Sequence, residues 1–177
     1  ILVMLLRRSD EAMALLDGHW FHTYEGGEGN LTRHHAWLMT LIGKKLAAEG
    51  KYKEAIEAYK SGYTFPLCYG EEKNYFAQES HLGYGLAMAY KADGNKREYE
   101  KALKSAMTDH AAPSEISYFR ALAFYEAGEI SAAHALCEEM IEAGKEKIRD
   151  KDIPAYYGVG SPCPCPFEYD FPKINTV

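Results

Sequence analysis

The chain has 177 residues, 47% of them hydrophobic and 26% charged, which is enough for one domain with a proper core. Its formal charge is −6, and the acids are spread along the chain rather than gathered. A phosphate-backbone footprint needs clustered Lys and Arg, so nucleic-acid binding is not expected. The apolar opening "ILVMLL" runs for six residues before "RRSDE", too short to span a bilayer and without the basic start or cleavage site of a signal peptide.

In chain order, "ILVMLL" reads as a helix separated from its neighbours; with no Met at position 1, the chain is expected to be a fragment of a longer protein. "RRSDEAMALLDG" places Ala12, Leu15 and Leu16 at helical spacing, with Ser9 as its N-cap. Next comes "HWFHTYEGGEGN", residues 19–30. His19 and His22 are three apart with Glu25 a turn on, an arrangement that suits zinc if the segment is helical. Gly18, Gly26, Gly27 and Gly29 disfavour that continuation. Acid–base chemistry at Glu25 or Glu28 would need a pocket, and nothing in the sequence places one. The favoured reading is a shaped junction. Trp20 and Phe21 pack under the following helices, and Glu25 or Glu28 accepts hydrogen bonds from free N–H groups of a helix opening at Leu31. In that helix Asn30 is the N-cap, and His34 and His35 are packing residues. His19, His22, Tyr24, Glu25 and Glu28 are kept as an interdomain or ligand motif. No catalytic residue, metal site or cofactor is assigned.

Three later stretches align on Gly50, Gly94 and Gly128: "EGKYKEAIEAYKSG", "DGNKREYEKALKSA" and "AGEISAAHALCEEM". The last two glycines are 34 residues apart and the first two 44. A 34-residue period with a glycine turn between two amphipathic helices is the tetratricopeptide spacing, and here the chain resembles that family. Repeat one, residues 36–69, supplies Gly43, Leu46, Gly50, Tyr52, Ala55 and Tyr59. Repeat two, residues 80–113, supplies Ala87, Tyr90, Gly94, Leu103 and Ala106, with Tyr99 replacing the usual Ala. Repeat three, residues 114–147, supplies Ala121, Phe124, Gly128, Ala133, Cys137 and Met140. Small residues let paired helices approach, and large ones fill the gaps between them. Pro66 and Gly70 mark a loop after repeat one, and "EEKNYFAQES" lengthens the first helix of repeat two. Cys137 falls on an apolar face and is read as core. The tail, residues 151–177, holds five of the seven prolines and many aromatics, so it is read as an extended strap on the last helix. The alternatives are a tail lying in the groove as a pseudo-ligand, or a metal role for Cys163 and Cys165.

The resemblance implies an all-α, right-handed solenoid of antiparallel helix pairs within a single domain. It implies a groove lined by the first helix of each repeat: Trp37, Thr40, Lys44 and Ala47; His81, Tyr84, Met88 and Lys91; Glu115, Tyr118, Leu122 and Tyr125. A clamp for a C-terminal carboxylate would need Lys, Asn and Arg where Thr40, Lys44, Glu115 and Phe119 stand, so that sub-class is excluded. "FHTYEGGEGN", the repeats and "YYGVGSPCPCPFEYD" together also resemble the C-terminal helical-repeat region of large bacterial proteins, where it follows an uncharacterised, mutarotase-like β-sandwich. The expected function is a non-catalytic module contacting a protein, a peptide or an upstream domain. The alternative is an accessory part of a carbohydrate-active enzyme, with His22, Tyr24 and Glu25 reaching a composite site.

Overall fold

A computed structural model of the protein describes residues 8–17, 19–22, 28–73, 77–109 and 112–149. The opening "ILVMLL", Tyr24, Glu25 and the proline-rich tail with Cys163 and Cys165 lie outside them. The described residues form seven α-helices and one 3-10 turn, with no strand. The helices are α1 (Ser9–Leu16), α2 (Asn30–Ala48), α3 (Tyr52–Ser61), α4 (Ser80–Ala92), α5 (Lys96–Met107), α6 (Ser117–Glu126) and α7 (Ile130–Arg149).

The three aligned glycines make the same turn. Gly50, Gly94 and Gly128 have φ of 76°, 81° and 83°, a left-handed conformation that suits a residue without Cβ. In each, the glycine N–H bonds three residues back: Gly50 to Ala47, Gly94 to Lys91 and Gly128 to Tyr125. The following N–H reaches five residues back, Lys51 to Leu46, Asn95 to Tyr90 and Glu129 to Phe124. This paired pattern is a Schellman C-cap, which satisfies the last carbonyls of the helix. It folds α2 onto α3, α4 onto α5 and α6 onto α7 as hairpins, and these partners share the most extensive contacts. Successive hairpins join through α3 with α4 and α5 with α6, while α2 touches α4 and α4 touches α6. The first helices therefore stack side by side.

Glycine also sets how closely these layers approach. Tyr59 of α3, 4% exposed, inserts its ring between α2 and α4. A Cβ on Gly43 would sit 2.7 Å from that ring, and one on Gly85 would meet it from the other side. The core around it comes from Leu38, Met39, Ala55, Ile56, Leu82, Ala87, Leu103, Ala106 and Ala123. Its many alanines are consistent with helices in close contact.

Several local expectations are overturned. Ser9 is the first residue of α1 rather than its cap; Arg8 precedes it and pairs with Glu11. Asn30 is inside α2, with Gly29 in the cap position, and α2 begins well before Ala36. "EEKNYFAQES" does not extend α4, since residues 71–73 and 77–79 are not helical. The helix starts at Ser80 because Asp109 accepts the Glu79 N–H at 3.0 Å and bonds the Ser80 hydroxyl. Cys137 is exposed: α7 is the last helix among those described, so the face that a further helix would cover stays bare.

Candidate functional site

Residues 19–22 of the junction segment are not helical, so His19 and His22 do not share a helix face. The Phe21 N–H bonds the Cys68 carbonyl at 2.8 Å, and the Phe21 ring meets Tyr69 edge-on at 5.9 Å. Phe21 turns inward, and Trp20 is left 75% exposed, contrary to the expectation that both pack beneath the helices. His22 is exposed, and His19 is exposed with Nδ1 3.0 Å from the Asp17 carbonyl. Among the described residues, no group of three or more His, Cys, Asp or Glu side chains is placed to hold a metal ion.

The start of α2 is capped from far away. The Glu71 carboxylate accepts the N–H of Gly29 at 2.9 Å, of Leu31 at 3.0 Å and of Thr32 at 3.1 Å. The sequence reading gave this task to Glu25 or Glu28; Glu71, supplied by the loop after α3, performs it. One turn on, His35 is buried and satisfied. Its Nε2 donates to the Ser61 carbonyl at 3.0 Å, which leaves Nδ1 to accept from the Tyr69 hydroxyl at 2.9 Å. Burial lowers the His35 pKa and raises that of Tyr69 to about 12.

The side-by-side first helices carry the expected groove residues, and the structure sorts them. Thr40 is buried, its hydroxyl donating to the Ala36 carbonyl at 2.9 Å. Lys44 is exposed. Lys91 pairs with Glu126, which also accepts from the Tyr99 hydroxyl at 2.9 Å. Tyr99, the departure from the repeat pattern, thus ties α5 to α6. Tyr84 is half-buried, while Tyr118 and Tyr125 are 52% and 62% exposed. His81 is only 1% exposed, so the spacing that placed it on an open groove is corrected. The cause is aromatic crowding: Trp37 lies over its ring at a centroid distance of 4.7 Å, and Phe119 approaches at 6.1 Å. Phe119 in turn meets Trp37 at 5.7 Å, Tyr118 at 5.6 Å and Tyr84 at 6.5 Å. Phe119 is the site residue absent from the expected groove set: it enters the sequence reading only as a clamp position that lacks a charge, whereas its ring links Trp37, Tyr84 and Tyr118.

At one end of this aromatic set, a cleft of about 450 Å³ opens among the N-terminal ends of α2, α4 and α6. Its wall includes Arg33, Phe65, Lys73, Gln78, His81 and Glu115. Lys73 pairs with Glu79, and Gln78 donates to the Ala112 carbonyl at 2.9 Å while accepting from Ser114. His81 joins the two parts, standing in the wall of this polar recess and against the Trp37 and Phe119 rings of the aromatic set. No protein-family model, curated protein or solved structure matches the chain. No helix among the described residues is long and apolar enough to cross a membrane.

Proposed function

We propose that this chain is a non-catalytic, tetratricopeptide-like solenoid module that binds an extended peptide along the face of α2, α4 and α6. The observation that carries the reading is the exposure of Tyr118 and Tyr125 on α6, with Tyr118 continuous through Phe119 with Tyr84 and Trp37. Solvent-facing tyrosines carry a large apolar area with a polar tip and few rotatable bonds, the properties of interface anchors. The three identical glycine turns support the repeat architecture. The same reading assigns the tail, residues 151–177, as a strap for α7, whose exposed Ile130, Cys137, Ile141 and Ile148 recur at spacings of seven, four and seven. The test is a peptide selected on the wild-type protein. Binding to Tyr118→Ala and Tyr125→Ala should each weaken by about 2 kcal/mol, with helicity unchanged by circular dichroism. Unchanged affinity in both variants sinks the reading.

A second contact, with an upstream domain, is favoured by Trp20 and by Leu67, which is 90% exposed and adjoins the Phe21–Cys68 hydrogen bond. This surface flanks the glycine-rich junction, where a composite carbohydrate-active site using His22, Tyr24 and Glu25 would also lie. Glu25→Ala in the full-length protein separates the two. Activity lost at unchanged melting temperature favours a site, and stability lost alone favours a junction.

A further inference from the structure

His81 is the one side chain among the described residues whose buried nitrogens lack a protein hydrogen-bond partner, at both Nδ1 and Nε2. The contrast with His35, satisfied at both nitrogens by the Tyr69 hydroxyl and the Ser61 carbonyl, is direct. Stacking against Trp37 and Phe119 does not require nitrogen, since a phenyl ring fills that slot as well. Leaving two imidazole nitrogens without a protein partner is a cost that a purely structural residue would avoid. His81 forms part of the wall of the cleft at the helix ends, and that location gives the nitrogens a use.

The surroundings restrict what the cleft accepts. Helix N-termini attract anions, but the starts of α2 and α4 are already occupied by the carboxylates of Glu71 and Asp109. The start of α6 is held by serine hydroxyls, with Ile116 N–H donating to Ser114 Oγ at 3.1 Å. In the wall, the carboxylates of Glu28, Glu79 and Glu115 outnumber the cations Arg33 and Lys73. An incoming carboxylate is repelled, and an incoming ammonium meets Arg33 at the same wall. Burial keeps the His81 imidazole neutral at ordinary pH, with Asp109 acting in the opposite sense. A neutral imidazole offers one donor and one acceptor, which suits an uncharged polar group.

We propose that this cleft takes one uncharged hydrogen-bonding side chain, a carboxamide or a hydroxyl, from the peptide that lies along the aromatic face. The inference rests on the peptide-binding reading and names the chemistry at one position of the partner. His81, in the cleft wall, is the contact, and Glu115, exposed at the same wall, sets the charge preference.

The experiment is selection of phage-displayed random peptides on three proteins: wild type, His81→Phe and Glu115→Lys. Wild type should enrich Asn, Gln, Ser or Thr at one fixed position beside residues that meet the tyrosines. His81→Phe, which keeps the ring stack, should lose the preference at that position alone and bind the wild-type peptide roughly three- to tenfold more weakly. Glu115→Lys reverses the charge balance and should shift that position toward Asp and Glu. A charged residue in the wild-type consensus, or a consensus unchanged in the variants, overturns the proposal. If His81→Phe does not fold, Glu115→Lys decides alone, since its substitution is on the surface. Peptides enriched without the cleft preference leave the aromatic-face reading standing and sink only this inference. No enrichment on any protein sinks both.

Discussion

Two residues show how much a single side chain decides. Glu71 serves three N–H groups that α2 cannot satisfy internally. Glu71→Ala leaves these donors to water or to nothing, so it should cost about 2 kcal/mol, read as a lowered urea midpoint at unchanged slope. Substituting Glu28 should cost less if Glu71 is the principal cap. His81 gives a pH signature. Burial pushes its pKa down from 6.5 to about 4, so the unfolded chain takes up a proton that the folded one refuses. The stability tied to the neutral ring is fully present above pH 6.5 and is lost as pH falls toward 4. The loss should reach about 3 kcal/mol at its limit. His34 and His35 are shifted in the same direction, burial being the first cause for each. His81→Phe should therefore flatten, without abolishing, the decline in urea midpoint between neutral and mildly acidic pH. An identical slope in the variant would mean that the ring is not held neutral by burial.

At the scale of the element, the same residue type has opposite effects in different helices. Gly43 faces the Tyr59 ring, where an added methyl has no room. Gly43→Ala should destabilise by about 1–3 kcal/mol through overpacking. Gly144 lies inside α7 with nothing near the position of a Cβ. Gly144→Ala should stabilise by up to about 1 kcal/mol, because alanine loses less backbone entropy on entering a helix. Thermal unfolding of the two variants gives a paired test of sign. Equal signs would mean that the close packing at Tyr59 does not limit the α2–α3 approach. The helix hairpins were legible beforehand because a Schellman turn is local: Gly50, Gly94 and Gly128 each close a bond pattern spanning six residues. The starts of α2 and α4 were not legible. Their caps, Glu71 and Asp109, lie about 40 and 30 residues downstream, and no local pattern marks them.

Across the whole molecule, the last helix shows what the stacked arrangement leaves unfinished. α7 buries Ala133 and Leu136 against its hairpin partner and exposes Ile141 and Ile148. Unpartnered apolar stripes of this kind mark contact surfaces. If the tail straps this face, deleting residues 151–177 should lower the melting temperature and raise dye binding to apolar surface, while far-ultraviolet circular dichroism keeps the helical signal. An unchanged melting temperature would remove the strap from the proposed architecture.

What the sequence determined by itself is what short-range chemistry controls: all-helical content, three glycine turns, small residues where helices approach, and tyrosines spaced along one face of α6. Only the tertiary structure decided which of those faces are open. Trp20 is exposed while its neighbour Phe21 packs on Tyr69, His81 is covered because Trp37 and Phe119 converge on it, and Cys137 is bare because nothing described follows α7 to cover it. Helical periodicity reports the side of its own helix on which a residue lies. Whether that side meets solvent depends on residues dozens of positions away, brought close by packing.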